Sequence, residues 1–194
     1  NGWEPPKTME ELMALAEKIQ AAGMIPFAHT NADWRPTNEH FVGEFLNHVA
    51  GPQKVYEALT GKLAWDDPDF VTAISMLNEM QQKGWFMGGL DNYYTVPYTE
   101  AGASFGNGEA AMNMTGSWYL TGIDDFFGEA AGNTNAWDAV PVPSTTGDAI
   151  FDIGIGSTWS INAASEHPEA AAEFLTYWFS PAVQGEMLAK CGFS

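Results

Sequence analysis

Basic residues are scarce in this chain. Its 194 residues include 7 Lys and Arg against 25 Asp and Glu, which gives a formal net charge of -18. Because so negative a surface repels phosphate backbones and anionic lipid headgroups, the composition argues against nucleic acid or peripheral membrane binding. The same charge disfavours anionic ligands, whereas a neutral polyol would be indifferent to it.

The chain also lacks the marks of disulfide, metal and membrane-spanning proteins. Cys191 is the single cysteine and cannot form an internal disulfide. The four histidines share no metal-ligand spacing, so neither a metal nor a cofactor is predicted. No stretch approaches the roughly 20 apolar residues of a membrane span, which argues against direct membrane insertion of this segment. Residues 1–6 carry no signal-peptide pattern, and because residue 1 is not Met we expect a piece of a longer protein.

Helical and strand patterns alternate along the chain, which is typical of an α/β fold. The spacing of apolar residues, caps and turn formers predicts helices over 9–22, 38–49, 52–60, 68–84 and 98–106, and others that begin at 116, 168 and 181. Short apolar runs predict strands over 24–28, 110–114, 150–155 and 158–161.

Three of the 8 tryptophans stand at predicted strand-to-loop or loop-to-helix junctions: Trp34, Trp118 and Trp159. Ligand clefts of open α/β sheets form at such carboxyl-end loops. A pyranose has apolar C–H faces and a rim of hydroxyls, so its receptor needs flat aromatic platforms with polar side chains beside them. These tryptophans therefore predict a sugar-stacking site.

Polar residues around Trp34 fit the rim of such a site. Asp33, Asn38, Glu39 and His40 are its near neighbours and are predicted as partners of sugar hydroxyls. Carboxylate pairs elsewhere are adjacent in turns or on helix surfaces, where solvated caps are the ordinary explanation. No catalytic residue is predicted.

Four segments of the chain resemble the extracellular solute-binding proteins of ABC importers, specifically the maltose-binding-protein-like sugar receptors of family 1. They occur in that family's order and approximate spacing. The segments are Pro5–Leu12, Phe105–Met112, Gly116–Trp118, and Ser160–Ser165 running into His167–Ala171 and Phe174–Leu175.

This resemblance implies a non-enzymatic receptor that closes on a sugar or oligosaccharide and delivers it to the membrane permease of an ABC importer. Trp118 matches a family residue that stacks on sugar, and Trp34 lies where the family often places an aromatic residue. Ser157 and Trp159 fall in the family's crossing between lobes, where residues often line the cleft. The implied location is extracellular or periplasmic, either free or anchored as a lipoprotein through an upstream amino terminus.

The resemblance also implies an organisation into two parts of unequal size. Residues 1–148 would form most of the carboxyl-side lobe of a type II periplasmic-binding-protein fold, helix-rich around a small mixed sheet. Residues 149–194 would be the hinge crossing and a strand-helix segment that completes the other lobe. Family chains are about twice as long, so the amino-terminal lobe and the carboxyl-terminal tail are expected to lie outside this sequence.

Two other functions stay open at this point. Tryptophan platforms beside carboxylates also serve glycoside hydrolases, which need two carboxyl groups about 5–10 Å apart. A receptor for polyamines or peptides on the same scaffold is the other alternative, and polyamines would suit the acidic charge.

Overall fold

A computed structural model describes residues 2–33, 37–151 and 158–191, without the side chains of residues 37–40, 121 and 191. Helices dominate these ranges. The α-helices are α1 (Met9–Ala21), α2 (Thr37–Phe45), α3 (Pro52–Leu59), α4 (Pro68–Gln82), α5 (Gly89–Asn92), α6 (Tyr98–Gly106), α7 (Pro168–Trp178) and α8 (Pro181–Cys191). A π-helix follows α2 at Leu46–Ala50, and short 3-10 turns lie at Ser117–Thr121, Ile123–Asp125 and Glu129–Ala131.

Local capping explains where the predicted helices begin. The Thr8 hydroxyl accepts a hydrogen bond from the Glu11 backbone N–H at 3.2 Å, and the Glu11 carboxylate accepts one from the Lys7 backbone N–H at 2.7 Å. The first bond satisfies a backbone donor that the first helical turn leaves without a partner, and the second ties the residue before the cap to that turn. The Asp67 side chain caps α4 in the same way, and Pro68 occupies its first position.

Two of the predicted strands pair with each other. Strand β1 (Ile25–Phe27) runs parallel to β2 (Ala110–Met112), with Ile25 opposite Ala110 and Phe27 opposite Met112. Phe86 adds a further parallel bridge to Phe27. All strand pairing in the described ranges is thus parallel, and helices α2 to α6 form the crossover between β1 and β2.

The apolar stripes of the helices meet in one core around β1. Its buried members come from α1, β1, α2, α4 and the turn after α4. They are Met9, Leu12, Ala16, Phe27, Phe41, Phe45, Ala73, Met80, Trp85, Phe86 and Tyr93. The helices predicted from the spacing of apolar residues over 9–22, 38–49 and 68–84 therefore supply much of this core.

Two glycines on α6 allow an unusually close approach of the following chain. Gly102 and Gly106 are buried one turn apart, and a Cβ atom at Gly106 would lie 1.9 Å from the Phe126 carbonyl oxygen. Asn133 fixes this approach, because its side-chain amide donates to the same oxygen at 2.9 Å. Only glycine provides the flat helix surface that this packing requires.

A buried histidine explains why the predicted helix over 38–49 changes geometry. His48 is 1% exposed in the π-helix, with Nε2 2.9 Å from the Glu44 carboxylate and Nδ1 3.1 Å from the Pro143 carbonyl oxygen. The Thr145 backbone N–H also donates to the His48 carbonyl at 3.0 Å. The widened turn thus holds the extended segment around residue 143 against the helix.

Within the described ranges the chain divides into two compact units. The first comprises residues 2–116 with 123–151, and the second comprises 117–122 with 158–191. In the second unit, α7 stacks Phe174 on Trp178 at a centroid distance of 5.9 Å, yet α7 buries no residue.

Two local predictions in the second unit are wrong. Residues 158–161 are not a strand, because no other strand among the described residues offers them a hydrogen-bonding edge. The helix expected from residue 116 is a single 3-10 turn over Ser117–Thr121. The predicted strand over 150–155 lies mostly outside the described residues.

Candidate functional site

The segment after β1 is held tightly by backbone and side-chain hydrogen bonds. The Ala28 N–H donates to the Met112 carbonyl at 2.8 Å, and the Asn31 N–H donates to the Tyr93 carbonyl at 2.9 Å. The buried Thr30 hydroxyl also donates to the Tyr93 carbonyl, at 2.9 Å. A segment fixed in this way provides rigid support for residues that follow it.

Asp33, the one predicted rim residue whose side chain is described, has a structural partner. Its carboxylate accepts a hydrogen bond from the Tyr98 backbone N–H at 2.9 Å, at the first residue of α6. The acidic group thereby complements the positive end of the helix dipole. Asp33 is exposed, and its assignment as a partner of a ligand stays a prediction.

The parallel pairing sends the chain out of both strands at the same sheet edge. Residues 28–33 follow β1 and residues 113–116 follow β2. Trp34 comes directly after the first segment, and Trp118 comes two residues after the second. Trp34 lies outside the described residues, and Trp118 belongs to the second unit, so a shared site for these two tryptophans stays a prediction.

Trp118 and Trp159 both belong to the second unit and both expose ring surface. Trp118 is 36% exposed in the turn that Ser117 opens, and Trp159 is 56% exposed. The Trp159 ring lies 6.2 Å from that of Trp178, centroid to centroid, at an interplanar angle of 48°. Both residues are therefore partly accessible to solvent.

The remaining predicted site residues lie outside what the structure describes. Ser157 falls in the gap between the described ranges. Asn38, Glu39 and His40 lie on α2, whose backbone is described at these positions while their side chains are not. Their assignment as partners of a ligand stays a prediction.

Sequence reasoning missed a pocket of about 360 Å³ in the first unit. Helices α2, α4 and α5 and the turns beside α5 line it with aromatic, aliphatic and carboxamide side chains. These are Phe41, Val42, Ile74, Leu77, Asn78, Gln81, Gln82, Phe86, Leu90, Tyr93 and Tyr94. The signal was present in α4, where the five lining residues recur at intervals of three and four and so share one helix face.

Charged and metal-binding chemistry is sparse in the described ranges. No group of three or more His, Cys, Asp or Glu residues there could hold a metal ion. The clearest ion pairs join Lys54 to Asp67 at 2.9 Å and to Asp69 at 2.7 Å, beside the start of α4. Hydrogen bonding to Lys54 lowers the pKa of Asp67, which matches a structural ion pair.

None of the helices that the structure describes is long and apolar enough to cross a membrane.

Comparison with known proteins gives a consistent result. The sequence model described as bacterial extracellular solute-binding protein matches residues 2–185. The sn-glycerol-3-phosphate-binding periplasmic protein UgpB of Yersinia pestis is 28% identical over 98% of this chain and 42% of its own length.

Solved structures agree with the sequence match. A chitin oligosaccharide binding protein superposes with a TM-score of 0.72 at 25% identity, over 98% of this chain and 47% of that protein. The raffinose complex of the solute-binding protein RafE superposes with a TM-score of 0.66 at 23% identity, over 99% of this chain and 49% of that protein. The chain thus spans less than half the length of these relatives.

Proposed function

Because the chain belongs to the bacterial extracellular solute-binding protein family, we propose that it forms part of a receptor that binds a neutral sugar or oligosaccharide. The family match and the superpositions confirm the expected type II periplasmic-binding-protein fold, helix-rich with a small sheet. The observation that carries the ligand class is the 0.72 superposition on a chitin oligosaccharide binding protein, which covers nearly the whole chain.

The proposed stacking residues are Trp118 and Trp34, with Trp159 as a further contact. Trp118 is 36% exposed, and an indole ring is a platform on which a pyranose face can stack. Asp33, Asn38, Glu39, His40 and Ser157 are the proposed partners of sugar hydroxyls. A net charge of -18 favours a neutral ligand over the phosphorylated polyol named for the UgpB relatives.

We further propose that the chain comprises two parts of a longer receptor, residues 1–148 and residues 149–194. Helix α7 and the residue that caps its end support this division, because Phe174, Tyr177 and Phe179 are each more than half exposed. An apolar face of this kind is typical of a surface that another part of a protein covers. The proposed covering part is the half of the relatives' length that this chain does not span.

The proposed partner of the complete receptor is the permease of an ABC importer. The family is one of extracellular solute-binding proteins, which places the receptor outside the cytoplasmic membrane. Anchoring through a lipid-modified amino terminus and a free periplasmic form are both compatible with this role. We propose no catalysis, and release of the phenol from an aryl glycoside would contradict that part.

The function is tested by calorimetric titration of this chain and of a protein of the relatives' length that contains it. The ligands are a chitin oligosaccharide, raffinose, maltose and sn-glycerol 3-phosphate. We expect the longer protein to bind one of the sugars and Trp118→Ala to weaken that binding at least about tenfold, because a stacking platform is lost. Trp137→Ala is the matched control, since Trp137 is 37% exposed but lies outside the proposed site.

Each outcome of this titration has a definite meaning. If the longer protein binds sn-glycerol 3-phosphate and none of the sugars, the ligand class is a phosphorylated polyol and not a sugar. Sugar binding that Trp118→Ala and Trp137→Ala leave equally strong would refute the assignment of Trp118. Failure of the longer protein to bind any ligand of the panel would overturn the proposed ligand class.

A further inference from the structure

The pocket between α2, α4 and α5 has a preformed floor. Phe41, Phe86 and Tyr93 are 2–3% exposed and belong to the core of the first unit. The rings of Phe41 and Phe86 meet edge to face at 5.2 Å between centroids. Because close-packed core residues seldom move, the floor does not need to rearrange when a ligand enters.

The rim of this pocket exposes large apolar surface. Tyr94 is 62% exposed and Leu90 52%, although the chain as a whole is strongly acidic. The Tyr94 ring stands nearly perpendicular to that of Tyr93, at 82° and 5.1 Å between centroids, which orients it beside the pocket. A rigid floor with an exposed aromatic wall suits a ligand that has an apolar face.

The polar atoms of the lining come from carboxamides and tyrosine hydroxyls. Asn78, Gln81 and Gln82 lie on one face of α4, and Gln81 hydrogen-bonds the Tyr93 side chain. That bond orients Gln81, while Asn78 and Gln82 are exposed at the rim. Each carboxamide offers both donors and an acceptor, which is the pattern that neighbouring hydroxyls of a sugar can satisfy.

No residue of the pocket lining carries a formal charge among the side chains that the structure describes. A charged ligand would therefore lose hydration here without gaining an ion pair. The volume of about 360 Å³ lies at the small end of ligand sites, so a single ring fits better than an extended chain.

We propose that this pocket is a second binding site, which takes one neutral pyranose ring with its apolar face toward Tyr94 and its hydroxyls toward Asn78 and Gln82. It shares no residue with the positions proposed above for the main ligand. The proposal therefore does not depend on the main site, and either one can fail without the other.

Saturation-transfer NMR of the chain with methyl β-D-glucopyranoside tests the proposal. We expect a weak signal that Tyr94→Ala reduces about tenfold, because the aromatic wall is lost. Tyr56→Ala is the matched control, since Tyr56 is 59% exposed on α3 and lies outside the lining. Trp118→Ala is expected to leave the signal at this pocket unchanged.

A second variant separates sugar recognition from apolar adhesion. Asn78→Leu combined with Gln82→Leu keeps the size of the rim but removes its hydrogen-bonding groups, so it should lose the glucoside signal and retain binding of cyclohexanol. Circular dichroism of each variant reports whether its helices are intact. A glucoside signal that persists in Tyr94→Ala, or no glucoside signal in the unaltered chain, would overturn the proposal.

Discussion

Replacement of Gly106 by alanine is the sharpest test of the packing around α6. The new Cβ would lie 1.9 Å from the Phe126 carbonyl oxygen and 2.8 Å from its carbonyl carbon. To reach ordinary contact distance, that backbone carbonyl would have to move by about 1.5 Å. Such a movement would also strain the hydrogen bond that Asn133 donates to the same oxygen.

The expected cost of this change follows from those contacts. Overpacking of a well-packed interior costs about 1–3 kcal/mol, and a weakened hydrogen bond adds about 1 kcal/mol, so Gly106→Ala should cost about 2–4 kcal/mol. Gly102→Ala should cost less, because its Cβ meets the Phe126 ring at 2.6–2.9 Å and a side chain can shift more easily than backbone. Higher helix propensity of alanine offsets about 1 kcal/mol of that smaller cost.

Urea unfolding followed by circular dichroism at 222 nm measures these differences. Gly43→Ala is the control, because Gly43 lies inside α2 and a Cβ there meets no atom within 4 Å. It should be neutral or stabilise by up to about 1 kcal/mol. The reasoning is refuted if Gly106→Ala is as stable as the unaltered chain, or if it is less harmful than Gly102→Ala.

Two further predictions concern the Lys54 ion pair and the exposed face of α7. Hydrogen bonding to Lys54 lowers the pKa of Asp67. The ion pair therefore contributes to the unfolding free energy above the usual carboxyl range, and this contribution is lost as pH falls through the lowered pKa. Asp67→Asn keeps a cap for α4 but loses the charge. Urea titrations should show that this variant is destabilised at pH 7 and not in strong acid. An equal loss of unfolding free energy at both pH values would contradict the ion pair. Tyr177→Ser should leave the unfolding free energy of this chain within about 0.5 kcal/mol, because Tyr177 is 64% exposed, and should reduce binding of an apolar fluorescent dye. Unchanged dye binding would argue that α7 presents no apolar docking face.

Local chemistry made the first part of the fold predictable. The cap at Thr8 and the turn at Gly23 mark the start and the end of one helix. This helix was predicted over 9–22 and is found at Met9–Ala21. Pro68 begins α4, and short apolar runs mark the two strands that pair. These features depend on neighbours in sequence, so periodicity and capping rules could find them.

Features that depend on distant partners were missed or placed wrongly. The π-helix forms where His48 meets Pro143, which is 95 residues away. Residues 158–161 have strand-like composition, but a strand requires another strand's edge. The same limit applied to the candidate site. The sequence predicted Trp118 and Asp33 as ligand contacts, which stay predictions, and it did not reveal that Asp33 accepts a hydrogen bond from the start of α6.

The sequence by itself determined the helix boundaries near caps and prolines, the two strands that pair, the acidic surface and the family resemblance, because each is carried by residue type and short spacing. Tertiary structure alone decided the parallel register of β1 and β2, the closeness of Gly106 to Phe126, and the pocket beside Tyr94. Each of these brings together segments distant in the chain. Their contacts depend on how helices pack around β1, and no local pattern encodes that packing.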